Sequence, residues 1–332
     1  MRPIGVGVLP VYDRALEYIK QDSETLKRQL ASVNTQLQKA AENTNVEEVE
    51  KLKKRAQILE VQSEINLPSV RWKARNGLAD LSQPVYRHLV EQKWREDGAL
   101  DLVMERVHQM NVVPDLLGEL HPSFDLRVNF PERLSDEIRM RNRTKAKVEK
   151  MEPGVFLLPE QTRKPPALYT TVFHEEPRLY TMLMVDLDVP NPEHQGFQSY
   201  LHWMHPNITL HAFSQNPVPL TGTHTPYVPP HPQRGTPYHR YVLLLVPQAS
   251  PTERIKIPAI SMEQRLGFDY RAFAANHGLD ASKGGGVFMW REVWDETVSR
   301  IHAETLKTEE PVFGRMPKED LYAVFKTTKR YH

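Results

Sequence analysis

Between residues 11 and 67 there is neither proline nor glycine, and apolar side chains recur at helical intervals. Leu26, Leu30, Val33 and Leu37 follow one another at +4, +3 and +4; Val46, Val49, Leu52, Ala56 and Leu59 follow at +3, +3, +4 and +3. Each series lays one narrow apolar stripe along a helix whose other faces are charged. Asn43-Thr44-Asn45 interrupts the pattern, and Asn45 with Glu48 has the spacing of a capping box. The pattern predicts two helices of about five turns each, as a hairpin or a bent rod. Two narrow stripes bury too little apolar surface to hold helices in isolation, so the pair is expected to dock on a partner or on the rest of the chain.

Residues 68–125 read as irregular with short helices, Pro84–Trp94 and Ala99–Gln109; Pro114, Pro122 and Pro131 then punctuate an extended stretch. Past residue 150 the period changes. Tyr180–Val185 (YTMLMV) and Tyr241–Val246 (YVLLLV) are continuous apolar runs bounded by turn residues, the pattern of strands covered on both faces. Pro166–Phe173 and Asn207–Phe213 read as further strands. Asp269–His277 reads as a helix stopped by Gly278, and Trp294 to about Lys307 as another with Trp294, Val298 and Ile301 on one face. Only 7 of 27 prolines and 3 of 14 histidines lie in the first 150 residues, so two kinds of chain meet near residue 150. The expected architecture is mainly β with flanking helices, in the α+β class. Its parts are a helical arm over 1–67, an irregular and helical extension with a basic linker over 68–150, a β domain over 151–308 and a basic tail over 309–332.

Composition narrows the function. Lys and Arg number 43 against 42 Asp and Glu, a net charge of +1, which excludes a uniformly basic nucleic-acid binder but hides local asymmetry. Residues 139–150, RMRNRTKAKVEK, carry six basic side chains and one acidic one, with Arg139, Arg141, Arg143, Lys145 and Lys147 at alternate positions. Such a run is either a solvated linker or a phosphate-tracking site, and its concentration in a near-neutral chain favours RNA contact. The tail from Arg315 has five basic and two acidic residues and ends on Lys329-Arg330-Tyr331-His332. With no cysteine, a disulfide scaffold, a Cys-ligated zinc and a catalytic thiol are excluded. No run approaches 18 apolar residues, so no stable membrane insertion is expected. Met1–Tyr18 shows neither a signal-peptide core nor an Arg- and Ser-rich amphipathic stretch.

Three segments carry candidate chemistry: Asp186-Leu187-Asp188-Val189-Pro190 directly after a strand, Leu201-His202-Trp203-Met204-His205-Pro206-Asn207, and Gly235-Thr236-Pro237-Tyr238-His239-Arg240-Tyr241 leading into a strand. Strand-end Asp beside His can make an anion pocket, a metal site or an acid–base pair. Taken singly each has a plainer reading: an Asx turn, a core histidine beside a tryptophan, and Arg240 as a structural partner of Asp186 or Asp188.

In order and spacing these segments resemble the phosphatidylethanolamine-binding protein family, over roughly residues 150–305. The resemblance implies a β fold of two sheets with helices near the end, and a small pocket for a phosphate-like headgroup at Asp186, Asp188, His202 and His239, with Arg240 and Tyr241 in the last motif. The departures concern the pocket mouth. Leu187 and Pro237 replace family residues, and His231-Pro232-Gln233 stands where the family has Gly-Pro-Pro, putting an imidazole where glycine lets a ligand approach the backbone. Trp290 stands where the family often has a smaller aromatic. The acidic and His residues are kept while the mouth is rebuilt, so Asp186, Asp188, His202, His231, His239 and Arg240 are expected to form a vestigial pocket, internally paired, without catalytic residues, metal or cofactor.

The helical extension, the basic linker and the basic tail around this domain resemble the branch of the family found in the central protuberance of the mitochondrial large ribosomal subunit, the fungal form most of all. That resemblance implies a structural ribosomal component in the mitochondrial matrix, with large-subunit ribosomal RNA and neighbouring ribosomal proteins as partners. Arg139, Arg141, Arg143, Lys145, Lys147, Lys329 and Arg330 are then the RNA-contact candidates. A free headgroup-binding or inhibitory module is the alternative; it leaves some 150 N-terminal residues unexplained. An enzyme ranks last, because no activated nucleophile can be named.

Overall fold

The computed structural model describes residues 3–42, 46–130, 151–220 and 224–314. Helices α1 (Pro10–Glu42) and α2 (Val46–Ile65) form the arm. The shielded positions of α1 run from Tyr12 and Leu16 through Ser23, Leu30 and Val33 to Ala40 at alternating steps of four and three. Those of α2 are Val49, Leu52, Ala56, Leu59 and Ser63. A mean step of 3.5 is the period of a coiled-coil seam. An ion pair of 2.8 Å between Lys27 and Glu64 bridges the antiparallel pair. At 33 residues α1 is about nine turns, not five; the seam continues through Ser23, whose small polar side chain breaks the apolar pattern but fits the contact. Asn45, half of the expected capping box, lies outside the described residues.

Contrary to the expected docking of the stripes, α1 and α2 pack on each other, and the arm meets the chain's own body through the end of α2. Helices α3 (Pro68–Arg75) and α4 (Pro84–Glu96) bury Val70, Ala74, Val85 and Tyr86 against Ile65 and Leu67 at the end of α2. Trp94 of α4 packs on Phe173 at 5.6 Å between ring centroids, and Arg87 pairs with Glu175 at 2.9 Å. Helices α5 (Ala99–Gln109) and α6 (Val112–Asp115) follow.

The body is a five-stranded sheet and a two-stranded one. Strands β1 (Asp125–Asn129) and β3 (Ala167–Thr171) pair antiparallel. The larger sheet has the order β2-β7-β6-β4-β5, from β2 (Val155–Leu157), β4 (Arg178–Asn191), β5 (Gly196–Leu210), β6 (His239–Pro247) and β7 (Gly286–Glu292). Only its β2–β7 pair is parallel. The two apolar runs of the sequence are its centre. Leu183, Val185, Val242, Leu244 and Val246 face one core with α5, α6 and α7 (Tyr270–His277). Met182, Met184, Tyr241, Leu243 and Leu245 face the other, under β1 and β3. Both faces are covered, which is why the runs show no polar alternation.

Helix α7 starts where Asp269 accepts the Arg271 and Ala272 amides and stops at Gly278 in the left-handed conformation, as expected from the sequence. Elsewhere the structure departs from the sequence reading. The strand expected over 207–213 is the last part of β5, which begins at Gly196 and carries His202 and Trp203 within it. The late helix α8 spans Glu296–Ile301, capped by Asp295, and a π-helical turn His302–Leu306 follows. Trp294 precedes that cap, so it is not on the helix face with Val298 and Ile301. The core also draws on Val107, Val112, Leu117, Phe124, Leu126 and Val128, all N-terminal to residue 151.

Candidate functional site

Strand register brings the three motifs to one end of the large sheet. Asp186 lies opposite Tyr241 on one side and Tyr200 on the other, and His239, Arg240 and Tyr241 lie opposite Glu292, Arg291 and Trp290. Asp186 and His239 are 1% and 0% exposed, and His239 Nδ1 donates to Asp186 Oδ2 at 2.8 Å. Burial alone raises a carboxyl pKa. Here the charge and hydrogen bond of His239, with smaller help from His202 and the Asp188 amide, outweigh it and hold Asp186 below its ordinary value. Burial likewise lowers His239, but the Asp186 charge and hydrogen bond, then Asp188, bring its pKa above the ordinary value. The ring's other nitrogen, Nε2, lies 3.0 Å from Thr236 Oγ1, and that hydroxyl donates to the Gln233 carbonyl at 2.7 Å. The pair is buried and closed on itself.

Asp188 is equally engaged. It takes Arg240 Nη2 at 2.7 Å, Nε at 2.8 Å and the Arg240 amide at 2.8 Å. The remaining Arg240 nitrogen, Nη1, donates to Asp115 Oδ2 at 2.8 Å and the Met110 carbonyl at 2.6 Å. Burial lowers the Arg240 pKa, and hydrogen bonds to Asp188 and Asp115 more than restore it. Of the two carboxylates open to it from the sequence, Arg240 takes Asp188.

His202 and His231 are the neutral part of the cluster. His202 Nδ1 donates to the Val228 carbonyl at 2.9 Å; its Nε2 is buried without a hydrogen bond. His231 Nδ1 donates to the Pro229 carbonyl at 2.8 Å. Burial, with repulsion from His231, lowers His202 to about 3. Burial also lowers His231 to about 4 against its hydrogen bond to Pro229, with repulsion from His302 adding. The His231 ring is 6% exposed and sits 5.0 Å from Tyr200, 5.0 Å from His202 and 5.6 Å from His302, centroid to centroid. The imidazole at the glycine position points inward, and the turn after α8 covers it with His302.

Sequence reasoning missed two buried ionisable residues. Glu292 is fully buried, accepts from Trp290 Nε1 at 2.7 Å and from Thr162 Oγ1 at 3.1 Å, and is pushed up to about 8 by burial, with Asp186 and Asp295 adding and the two hydrogen bonds opposing. The signal was present: Phe288, Trp290 and Glu292 share one face at period two. Arg265, 1% exposed, donates to the Leu201, His202 and Pro226 carbonyls and fastens a loop along the outer edge of β5. Tyr241 stacks on Trp290 at 5.8 Å, and its hydroxyl is raised well above its ordinary pKa by burial and by the nearby carboxylates.

Among the described residues no three His, Asp or Glu side chains are placed to hold a metal ion, and no helix is long and apolar enough to cross a membrane. Arg139, Arg141, Arg143, Lys145, Lys147, Lys329 and Arg330 lie outside the described residues.

Residues 143–289 match the model of the phosphatidylethanolamine-binding protein family, so the sheet with its Asp186–His239 end is a domain of that kind. A rice protein, MOTHER of FT and TFL1 homolog 2 (Oryza sativa subsp. japonica), is 33% identical over 101 residues, 30% of this chain and 53% of its own. The solved phosphatidylethanolamine-binding protein from Plasmodium vivax is 17% identical, with a TM-score of 0.38, over 58% of this chain and 98% of its own. Large ribosomal subunit protein mL38 of Schizosaccharomyces pombe is 31% identical over 238 residues, 71% of each chain. The chain belongs to the mL38 family of large ribosomal subunit proteins.

Proposed function

We infer that the protein is a structural component of the large subunit of the mitochondrial ribosome, acting in the matrix, where it ties ribosomal RNA to neighbouring proteins. The observation that carries this reading is the extent of the similarity to mL38: 238 aligned residues reach well beyond the 143–289 domain and so include flanking chain. A free headgroup-binding module has no need of that flank. The expected place is the central protuberance, with its proteins as neighbours. The basic run from Arg139 to Lys147, with Lys329 and Arg330, is our candidate for ribosomal RNA phosphates, on the ground of local charge. The arm is our candidate for protein contact; a groove of about 820 Å³ there is lined by Leu26, Ile58, Val61 and Ile65.

The role is scaffolding, not catalysis, and the pocket motif is a closed structural cluster. Asp186 is spent on His239, Asp188 on Arg240, and His231 fills the mouth. Affinity purification of the tagged chain from mitochondria should bring down large-subunit ribosomal RNA. Recovery of the chain free of that RNA would overturn the reading.

A further inference from the structure

Beside the buried cluster lies an open cleft of about 300 Å³, lined among others by Asn111, Asp115, Asp188, Phe197, Tyr238 and Arg240. Its aromatic side chains are solvent-exposed, Phe197 at 65% and Tyr238 at 44%. They continue into a patch with Phe156, 51% exposed and edge-on to Tyr238 at 5.8 Å. Arg291 lies over both rings, 4.0 Å from the Phe156 centroid and 5.5 Å from that of Tyr238, and donates twice to the Gly154 carbonyl. The patch is therefore apolar, cationic at one side and held in place.

The chemistry of the cleft selects its occupant. A phosphate is disfavoured, because Asp115 and Asp188 are carboxylates whose counter-charge, Arg240, is already consumed by them. A helix of another protein is about 10 Å across and too wide for this volume. A flat, uncharged group with a hydrogen-bonding edge suits that lining, which offers the exposed rings of Phe197 and Tyr238 for stacking, the Asn111 amide and the Asp115 carboxylate as hydrogen-bond partners, and Arg291 outside for an attached phosphate.

We propose that this cleft holds one unstacked nucleobase of ribosomal RNA, with Phe197 and Tyr238 as the stacking residues and Arg291 beside its phosphate. The proposal rests on the ribosomal reading above. It is tested in intact large subunits, irradiated at short wavelength, with nucleotide adducts mapped on the chain by mass spectrometry. An adduct on Tyr238 or Phe197 is expected. In subunits carrying Phe197→Ala with Tyr238→Ala, the adduct yield should fall at least tenfold on the order of the lost stacking energy, and one ribosomal RNA nucleotide should gain chemical reactivity while the chain still enters the subunit. The proposal is overturned if wild-type subunits give no adduct there and the footprint is unchanged in the variant. It is also overturned if a photoreactive side chain at position 238 captures a protein segment. If the chain is absent from the subunits, the ribosomal reading has failed, and the cleft is then decided with the full chain alone: a single-stranded RNA hexanucleotide, unlike inorganic phosphate, must shift the NMR signals of Tyr238 and Phe197, and no shift refutes it.

Discussion

Replacing Glu292 by Gln should stabilise the β domain above neutral pH. The carboxyl is fully buried and pushed up to about 8 by burial, from an ordinary 4.5. The folded state thus holds a proton that the unfolded chain releases above pH 4.5, and stability falls as pH rises between the two values. At about 1.4 kcal/mol per pH unit, the loss between pH 5 and 7 is on the order of 2–3 kcal/mol. Glutamine is nearly isosteric. Its carbonyl can accept from Trp290 Nε1, and its amide can donate to Thr162 Oγ1, whose own hydroxyl can turn to the Pro159 carbonyl at 3.3 Å. Both contacts survive and the titration is removed. The assay is urea unfolding of the full chain, wild type and variant, followed by tryptophan fluorescence at pH 5, 6, 7 and 8. The difference between variant and wild type should grow in the variant's favour by about 1.4 kcal/mol per unit from about pH 5 to 8. A pH-independent difference would refute the reasoning, because Glu292 would then be ionised in the fold or reached by water.

Leu183→Asp should abolish the cooperative melting of the β domain, since Leu183 is completely buried between β5 and β6 and an unpaired charge there costs several kcal/mol; a transition that persists would refute the strand assignment. Acid should cost stability at the neutral imidazoles, in the opposite sense to its gain at Glu292. The unfolded chain takes up protons below 6.5 that folded His202 and His231 refuse until about 3 and 4, so stability should fall by roughly 2 kcal/mol per imidazole from pH 6.5 to 5, and His231→Leu should flatten the urea-midpoint profile over that range. Phosphorylethanolamine should not bind the wild type at submillimolar concentration by NMR, and His231→Gly is the variant expected to gain binding; wild-type shifts centred on Asp186 and His239 would contradict a closed site. Changing Arg139, Arg141, Arg143, Lys145 and Lys147 together to Gln should weaken incorporation into the subunit and flatten its salt dependence, and an unchanged salt slope would show a solvated run.

The central strands were legible because Tyr180–Val185 and Tyr241–Val246 are short apolar runs without alternation, bounded by turn residues and too short for buried helices, the pattern of strands covered twice. Helix α7 was legible because Asp269 and Gly278 satisfy backbone groups at its two ends. Strand β7 was not, because Gly284-Gly285-Gly286 reads as a loop. Its first residue is glycine for a tertiary reason: a Cβ on Gly286 would lie 2.5 Å from the Phe124 ring of a distant segment. With β7 unread, the inward position of Glu292 was lost too. Strand β1, with polar Asp125, Arg127 and Asn129 around Leu126 and Val128, is short and set between prolines, and needs β3 to exist at all. That Asp186, Asp188, His202, His231, His239 and Arg240 gather at one end of the sheet was expected from the resemblance of their motifs to the family. The inward turn of His231 was not, because the residues that enclose it, Tyr200 and His202 on β5 and His302 after α8, come from two distant stretches of chain.

The central claim is most directly tested by sedimenting mitochondrial extract through a sucrose gradient and quantifying the chain by mass spectrometry in each fraction. Membership in the large subunit requires it to peak with the large-subunit proteins, in stoichiometric amount, and to leave that position when the ribosomal RNA is digested. A chain that stays at the top of the gradient, apart from the large-subunit proteins, would contradict the account.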